Sequence, residues 1–249
     1  MPEQHTTNAV SIFLKMVKAV RRGVTMKPRS ANDKEYFAQD WFANRLREAG
    51  VTFQQQGRNS YPDFLMTAPT LAEGYEVKSL AFTRGKPARR DIDFNSTIPS
   101  GRKDEQDVFL VFFLYTGSGN EPRQVHSFSL AHADLINADH QVADEHINVA
   151  IHEFGSYGDG FIRNRKMYVF PHPITVDPDG LGRQRLIVPA DWKVKPAGLR
   201  KVKTIERTVT AEAVASYTIR LHGRGQAEVN KTPYADAGTS RKFDVYEAK

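Results

Sequence analysis

Three side chains in the first third of the chain have the types and the spacing of a metal-dependent hydrolytic site. Asp63 follows Pro62, and Glu76-Val77-Lys78 begins thirteen residues after that aspartate. Mg²⁺ prefers hard oxygen ligands, typically one or two carboxylates together with water and phosphate oxygens. A lysine beside such an ion can hold the attacking water and offset developing negative charge. The pattern therefore predicts a magnesium site that hydrolyses phosphodiesters.

Helices and strands are predicted around these residues in the order that such a site needs. Apolar spacing predicts a helix over residues 8–22 and a second one that ends at Gly50. Asn32 and Glu35 predict a capping box at the start of the second helix. Strands follow at 51–55, 61–66 and 74–81, which places Asp63 near the start of one strand. Glu76 and Lys78 share one face of the next strand, because side chains alternate along it.

The rest of the chain is predicted to be mostly strands. Residues 107–115 are almost continuously apolar, which suits a central strand buried on both faces. One helix is predicted over 139–154, and further strands are predicted at 125–130, 166–170, 185–188 and 216–221. The fold class is α/β (α+β), a mixed β-sheet flanked by helices with a β-rich C-terminal extension. We place a core at 1–176 and a basic extension at 177–249, although a single domain also fits.

The amino-acid composition excludes several classes of functional site. The chain has no cysteine, which excludes disulfides, thiolate metal sites and cysteine nucleophiles. The apolar stretch 10–20 contains Lys15 and Lys18 and is too short to span a bilayer. We expect no membrane association and a cytoplasmic location. His140, His146 and His152 are spaced six residues apart, and on a helix they would point in different directions, so zinc is not expected.

Positive charge is concentrated in segments after the carboxylates. The net charge is +6, and lysine and arginine cluster at 84–90 and again within 163–207. Such clusters suit a polyphosphate partner, since each neutralised phosphate releases condensed counterions. The polar loop 84–101 and the glycine-rich loop 155–166 are expected to contact DNA. The candidate DNA contacts are Arg84, Lys86, Arg89, Arg90, Asn95, Ser96, Arg102, Arg163, Arg165, Arg183 and Arg185.

Pro62-Asp63 and Glu76-Val77-Lys78 together resemble the PD-(D/E)xK nuclease superfamily and, within it, the type II restriction endonucleases. The resemblance covers roughly residues 32–130. That superfamily places its aspartate and its (D/E)xK on adjacent strands of a small mixed sheet, behind an N-terminal helix. The resemblance implies a restriction-endonuclease-like core and one or two Mg²⁺ ions held by Asp63, Glu76 and the backbone carbonyl of Val77. Lys78 would position the attacking water.

The resemblance also implies a biological setting. It predicts a homodimer that cuts double-stranded DNA at a short, palindromic sequence in the prokaryotic cytoplasm, with a cognate DNA methyltransferase acting on the same site. Many members present a glutamate from the helix before the sheet, which makes Glu35 a candidate auxiliary acid as well as a helix cap. Two alternatives stay open: a repair or recombination nuclease with the same core, and a non-enzymatic DNA-binding protein whose acid pair is structural.

A second copy of the motif shows that residue spacing alone does not identify the site. Pro178-Asp179 followed by Asp191-Trp192-Lys193 satisfies the same formula. Asp179 lies in an Asp-Pro-Asp-Gly sequence, which is typical of a turn, and Asp191 lies outside any predicted strand. The first copy is therefore assigned as the site.

Overall fold

The computed structural model describes residues 7–33, 35–57, 60–83, 91–94, 101–136, 149–152, 161–192, 194, 197–208, 215–222, 226–233 and 240–249. Of these, residues 91–94, 149–152, 161–170, 215–222 and 226–233 are described for the backbone alone. Within this part of the chain the fold is mixed α/β, rich in sheet and with few helices. None of its helices is long and apolar enough to cross a membrane.

The elements occur in the following order along the described chain. The helices are α1 (Ala9–Arg21), α2 (Tyr36–Ala49) and the short α3 (Pro173–Val176). The strands are β1 (Phe53–Gln55), β2 (Phe64–Met66), β3 (Glu73–Ala81), β4 (Asp91–Phe94), β5 (Arg102–Lys103), β6 (Gln106–Thr116), β7 (Gln124–His132), β8 (Val149–His152), β9 (Phe161–Pro171), β10 (Gln184–Pro189), β11 (Leu199–Thr208), β12 (Ala215–His222), β13 (Gln226–Pro233) and β14 (Ser240–Ala248).

Nine of these strands form one mixed sheet. Its order is β1-β2-β3-β6-β7-β10-β14-β11, with β5 paired to β6. Two neighbouring pairs, β3 with β6 and β7 with β10, run parallel, and the other pairs run antiparallel. Strands β10, β11 and β14 belong to the C-terminal segment 177–249, so that segment continues the same sheet as the N-terminal strands.

Helices α1 and α2 cover one face of this sheet and form the main core with it. Phe13 of α1 meets Phe128 of β7 edge-on, with ring centroids 5.6 Å apart, and Trp41 of α2 meets Phe113 of β6 in the same way at 5.4 Å. Such edge-to-face pairs add about 0.5–1.5 kcal/mol beyond the area that they bury. Residues 108–114 of β6 are all buried, which confirms the prediction of a central strand covered on both faces.

The start of α2 differs from the predicted capping box by one residue. The helix begins at Tyr36, and the Oδ1 atom of Asp33 accepts hydrogen bonds from the backbone N–H groups of Glu35 (3.1 Å) and Tyr36 (2.8 Å). Asn32 is exposed, and Glu35 makes no side-chain cap hydrogen bond. The Asn32–Glu35 cap prediction was therefore wrong, and the Glu35 carboxylate has no capping role. Gly50 ends the helix with φ 72°, as predicted.

Replacing Asp33 with alanine is expected to lower the free energy of unfolding by about 1–2 kcal/mol, since it leaves first-turn N–H groups without an acceptor. Urea denaturation followed by circular dichroism measures the change. Asn32→Ala is the matched control and is expected to have little effect. Equal losses for the two variants would contradict the assignment of Asp33 as the cap.

The helix predicted over 139–154 is wrong where the structure describes that segment. Residues Val149–His152 form β8, which pairs antiparallel with β9, and β9 also pairs with β4 and β12 in a second, five-stranded sheet. Val149 and Ile151 alternate along this strand, and β-branched side chains favour extended backbone. Its partner β9 lies only nine to fifteen residues further along the chain, but helical periodicity alone does not reveal this pairing. His140 and His146 lie outside the described residues.

Candidate functional site

The predicted motif residues lie where strands β2 and β3 separate. Strand β2 pairs antiparallel with β3, with Phe64 opposite Tyr75 and Leu65 opposite Gly74. Phe42 of α2 contacts both aromatic residues of this pair, with centroids 5.5 Å from Phe64 and 5.6 Å from Tyr75. This packing holds α2 over the two strands. Pairing stops at Phe64, so Asp63 stands just before β2 rather than inside it.

The Asp63 carboxylate lies where the next residue pair of the β2–β3 ladder would otherwise form. Its Oδ2 atom accepts a hydrogen bond from the backbone N–H of Val77 at 2.8 Å, and its Oδ1 atom accepts one from Nε2 of Gln39 on α2 at 2.9 Å. The carboxylate is therefore fixed from both the sheet and the helix.

Pro62 cannot supply a ladder donor to the carbonyl of Val77 at this edge. Continuing the β2–β3 register would place Pro62 opposite Val77, but proline has no N–H to donate. The N–H and C=O of one residue in a strand point to the same side. Because the N–H of Val77 points to Asp63, we expect its carbonyl to face the same edge, beside the Asp63 carboxylate.

Glu76 and Lys78 complete the cluster from β3. The Oε1 atom of Glu76 lies 2.7 Å from Nζ of Lys78, and its Oε2 atom accepts a hydrogen bond from the backbone N–H of Asp63 at 3.1 Å. The Glu76 side chain is 7% exposed and that of Lys78 is 31% exposed, so the amine reaches the surface while the carboxylate lies beneath it. Both carboxylates and the amine therefore meet at one strand end, as predicted.

Two carboxylates in one partly buried site repel each other when both are ionised. Burial, and then the charge of Glu76, raise the pKa of Asp63 from 3.8 to about 8, despite the opposing effects of Lys78 and of the Val77 N–H. Burial lowers the pKa of Lys78, but the nearby charges of Glu76 and Asp63 outweigh it, so that this pKa is raised. The amine is therefore a cation at neutral pH and cannot accept a proton from water.

Glu35 lies near this cluster but is not held in it. Its charge contributes to raising the pKa values of both Asp63 and Lys78, which places its carboxylate within electrostatic range of them. The side chain is exposed. The auxiliary role of Glu35 stays a prediction.

The donor set at this strand end suits a hard divalent cation. Asp63, Glu76 and the carbonyl of Val77 offer only oxygen atoms, and a cation between the carboxylates would offset the repulsion that raises the pKa of Asp63. Within the described residues no group of three or more His, Cys, Asp or Glu side chains converges on one point. A bound ion would therefore need water or substrate oxygen to complete its shell, as Mg²⁺ sites commonly do.

Gln39 is a site residue that motif reading missed. It binds Oδ1 of Asp63, and its own Oε1 lies 3.4 Å from Nε2 of Gln55 on β1. A signal was available, because Gln39 follows Glu35 by four residues and such residues lie on one face of a helix.

Ten of the eleven candidate DNA contacts fall into three groups. Arg102 and Arg183 are exposed, with side chains 51% and 59% accessible, and each also contacts a carboxylate, Glu105 and Glu247 respectively. Arg163 and Arg165 lie on β9, whose side chains are not described. The candidates outside the described residues are Arg84, Lys86, Arg89, Arg90, Asn95 and Ser96.

Arg185 is a wrong assignment as a DNA contact. The residue is 2% exposed, its Nη1 atom lies 2.8 Å from Glu247, and its Nε atom lies 3.6 Å from Asp177. Arg185 lies on strand β10, which is buried because β7 and β14 pair with it on either side. Its charge is engaged in internal ion pairs.

Arg185→Met is expected to destabilise the fold by on the order of 3 kcal/mol, because it removes one member of a buried ion-pair network. Chemical denaturation measures the loss. Arg183→Met, at an exposed position nearby, serves as the control and is expected to change stability by less than about 0.5 kcal/mol. Unchanged stability in Arg185→Met together with weaker DNA binding would restore Arg185 as a contact residue.

The second motif copy lies on a turn and a loop. Asp179 belongs to the 3-10 helix Pro178–Gly180 and binds Nζ of Lys203 at 2.7 Å. Asp191 is exposed in a turn after β10, and Lys193 lies outside the described residues. These positions agree with the turn predicted from the Asp-Pro-Asp-Gly sequence.

Comparison of the chain with protein-family models, with curated proteins and with solved structures finds no match.

Proposed function

We propose that this protein is a Mg²⁺-dependent endonuclease of double-stranded DNA, of the PD-(D/E)xK superfamily and with a restriction-endonuclease-like core. The observation that carries the proposal is the meeting of Asp63, Glu76 and Lys78 at one strand end, with Asp63 fixed by Val77 and Gln39. An ion pair that serves only the protein surface would not require Asp63 to be held by hydrogen bonds from Val77 and Gln39. The basic character of the chain supports a polyanionic substrate.

Each residue of the cluster would have a distinct role in the reaction. Asp63, Glu76 and the Val77 carbonyl would hold one or two Mg²⁺ ions. A bound ion would acidify its water and offset the charge on the scissile phosphate. Lys78, charged and anchored by Glu76, would donate a hydrogen bond to the attacking water or to a phosphate oxygen. Gln39 would keep the Asp63 carboxylate at its position through each turnover.

Within this superfamily we favour a type II restriction endonuclease. A homodimer would match a palindromic sequence through its two-fold symmetry, and a cognate methyltransferase would protect the host site. A repair or recombination nuclease with the same core is the second candidate, since the same three residues would serve it equally. A DNA-binding protein without activity is the third.

Incubation with long duplex DNA and Mg²⁺ separates these candidates. Discrete, reproducible fragments that disappear with EDTA are expected for the restriction enzyme. A smear, or nicking that depends on DNA structure, would indicate the repair class. Binding without any cutting, on DNA rich in different short sequences, would leave only the non-enzymatic candidate.

Lys78→Ala is expected to lower the cleavage rate by about 10²–10³-fold, the usual cost of removing one positioned electrostatic donor. Single-turnover cleavage with saturating enzyme measures the step directly. Lys18→Ala, which removes an exposed lysine from α1, is the control and should cut at the normal rate. Equal rates for the two variants would remove Lys78 from the reaction.

A further inference from the structure

An open cavity of about 580 Å³ lies on the C-terminal strands of the main sheet. It is formed between residues 178–185 and residues 200–202 of β11, with Glu247 of β14 in its wall. Its volume is within the range of about 300–1,000 Å³ that is common for small-molecule sites. Strand β10 is the third strand from β3 in the sheet, about 14 Å away at the usual strand spacing. The cavity is therefore separate from the cluster around Asp63.

Three arginines in the cavity wall share the carboxylate of Glu247. Nη1 of Arg185 lies 2.8 Å from its Oε1 atom, and Nη1 of Arg183 lies 3.4 Å from the same atom. Nη2 of Arg200 donates to its Oε2 atom at 2.8 Å. Burial raises the pKa of Glu247, but the hydrogen bond from Arg200 and the charges of its arginine partners outweigh burial, so that this pKa is lowered. Glu247 is therefore ionised at neutral pH and holds the guanidinium groups together.

The other carboxylates near the cavity have cations of their own. The pairs are Arg185 with Asp177, Lys203 with Asp179, and Lys201 with Asp244. This pairing leaves Arg183 and Arg200 to share Glu247. One positive charge at this place therefore has no counter-charge among the described residues, and an anion from solution would balance it.

The positive groups lie outside and their shared carboxylate lies beneath them. The side chains of Arg183 and Arg200 are 59% and 66% exposed, whereas that of Glu247 is 12% exposed. A ligand from solution therefore meets the guanidinium groups before it meets the carboxylate. A guanidinium group has five N–H donors, so donors that do not point at Glu247 stay accessible. Asp179 is an exposed carboxylate in the same wall, and Nζ of Lys203 binds it at 2.7 Å.

Two apolar side chains complete the cavity wall. Leu181 and Val202 are 46% and 40% exposed, which is unusual for large apolar residues of this protein within the part that the structure describes. Covering exposed apolar surface is favourable. A ligand with a carbon skeleton next to its anionic group would cover them, and a bare inorganic ion would not.

We propose that this cavity binds the phosphate group of a nucleotide, held by Arg183 and Arg200, with the sugar against Leu181 and Val202. Guanidinium groups match phosphate oxygens through paired, charge-assisted hydrogen bonds. Arg185 stays in its internal ion pairs and supports the site through Glu247. The nucleotide is either free or part of a DNA strand, since the chemistry of the phosphate is the same. The proposal does not depend on the nuclease function, because no residue of the Asp63 cluster takes part.

Thermal unfolding of the full-length protein tests the site. Deoxyadenosine monophosphate, deoxyadenosine and sodium acetate are added separately, in EDTA and at constant ionic strength. The monophosphate is expected to raise the Tm by about 3 °C at ten times its Kd, because it binds the folded state alone. Deoxyadenosine should have no effect. No rise with the monophosphate would overturn the proposal, and so would an equal rise with acetate, which would indicate a site for any small anion.

Single arginine variants locate the effect. Arg183→Gln and Arg200→Gln are each expected to lose most of the rise in Tm. Without ligand, both should unfold near the wild-type Tm, because the side chains are exposed and Glu247 keeps two other arginines. Arg22→Gln removes the same charge from an exposed position at the end of α1 and should keep the full rise. A rise that survives in both cavity variants, or that is lost equally in Arg22→Gln, would contradict the assignment.

DNA binding identifies the source of the phosphate. The affinity of a labelled short duplex is measured by fluorescence anisotropy over a range of salt concentrations in EDTA. If the phosphate belongs to a DNA strand, Arg200→Gln should bind more weakly than Arg22→Gln, with a salt dependence lower by about one phosphate contact. Equal binding by these two variants, with the monophosphate response lost only in Arg200→Gln, supports a free nucleotide.

The nuclease proposal and the cavity fail in different ways. Asp63→Asn should keep the full rise in Tm with the monophosphate, because the two sites are separate. Loss of that rise in Asp63→Asn would place the nucleotide at the Asp63 cluster and overturn the cavity. Cleavage of duplex DNA with Mg²⁺ is scored separately, and its absence would leave the response of the arginine variants unchanged.

Discussion

Asp63→Asn is expected to reduce Mg²⁺-dependent cleavage of duplex DNA by at least about 10³-fold, because a neutral amide is a poor replacement for a carboxylate that holds the ion. The substitution is conservative in shape. An amide oxygen can still accept from the Val77 N–H, and Gln39 can rotate its own amide to accept from the new NH₂ group. The variant should therefore fold, and the loss should lie in the reaction itself. Single-turnover rates over a Mg²⁺ titration measure it.

Asp40→Asn is the matched control for this experiment. Asp40 lies on α2 next to Gln39 but is bound to Arg29 at 2.6 Å on the outer surface. Its replacement removes one negative charge from the same helix without touching the cluster. Cleavage at the wild-type rate is expected for the control. If Asp63→Asn cuts as fast as Asp40→Asn, Asp63 is not a ligand and the nuclease proposal loses its central residue.

The second large effect is a loss of stability with rising pH that comes from Asp63. Its pKa in the folded protein, about 8, lies above its usual value of 3.8. The folded state therefore keeps a proton that the unfolded state has already lost, and stability falls as pH rises between these two values. The slope is at most about 1.4 kcal/mol per pH unit for one proton. Above about pH 8 this contribution becomes constant.

Urea denaturation of the wild-type protein and Asp63→Asn across this pH range isolates the effect. The variant is expected to be increasingly more stable than the wild-type protein as pH rises, and the difference should level off above about pH 8. A constant difference at all pH values would contradict the raised pKa. Asp40→Asn should show no such trend relative to the wild-type protein.

Magnesium provides an independent check, because a cation between the carboxylates favours their ionised forms. Mg²⁺ should raise the Tm of the wild-type protein, and should leave Asp63→Asn nearly unchanged. This measurement needs no DNA and no cleavage. An equal rise in both proteins would place the ion elsewhere.

Local signals in the sequence predicted both long helices and eight of the fourteen described strands, but they missed β11 and β14, which belong to the main sheet. The buried run around 107–115, the strand that carries Glu76 and the left-handed Gly50 all appear where predicted, since these depend on side-chain periodicity and backbone preference within a few residues. The cap of α2 was missed by one residue. Asn32 and Asp33 are both good capping residues, and only the path of the incoming chain decides between them.

Pairing between strands accounts for the larger errors. Residues 149–152 have an apolar pattern that suits a helix, but they form a strand because β9 lies beside them. Arg185 occurs in a basic region of the sequence, yet it lies on a central strand and its charge meets Glu247 and Asp177 inside the fold. Neither neighbour can be read from the residues around the position itself.

The residue types of the candidate site and their order along the chain could be read before folding: Pro62, Asp63, Glu76 and Lys78 follow a predicted helix and lie on predicted strands. Their environment depends on how the chain folds. The tertiary structure brings Gln39 to Asp63, and it ends the β2–β3 pairing at Phe64, so that the Asp63 carboxylate accepts the backbone N–H of Val77. The reason is physical: residue type is local, whereas burial, charge proximity and the pKa of Asp63 depend on segments that meet only when the chain folds.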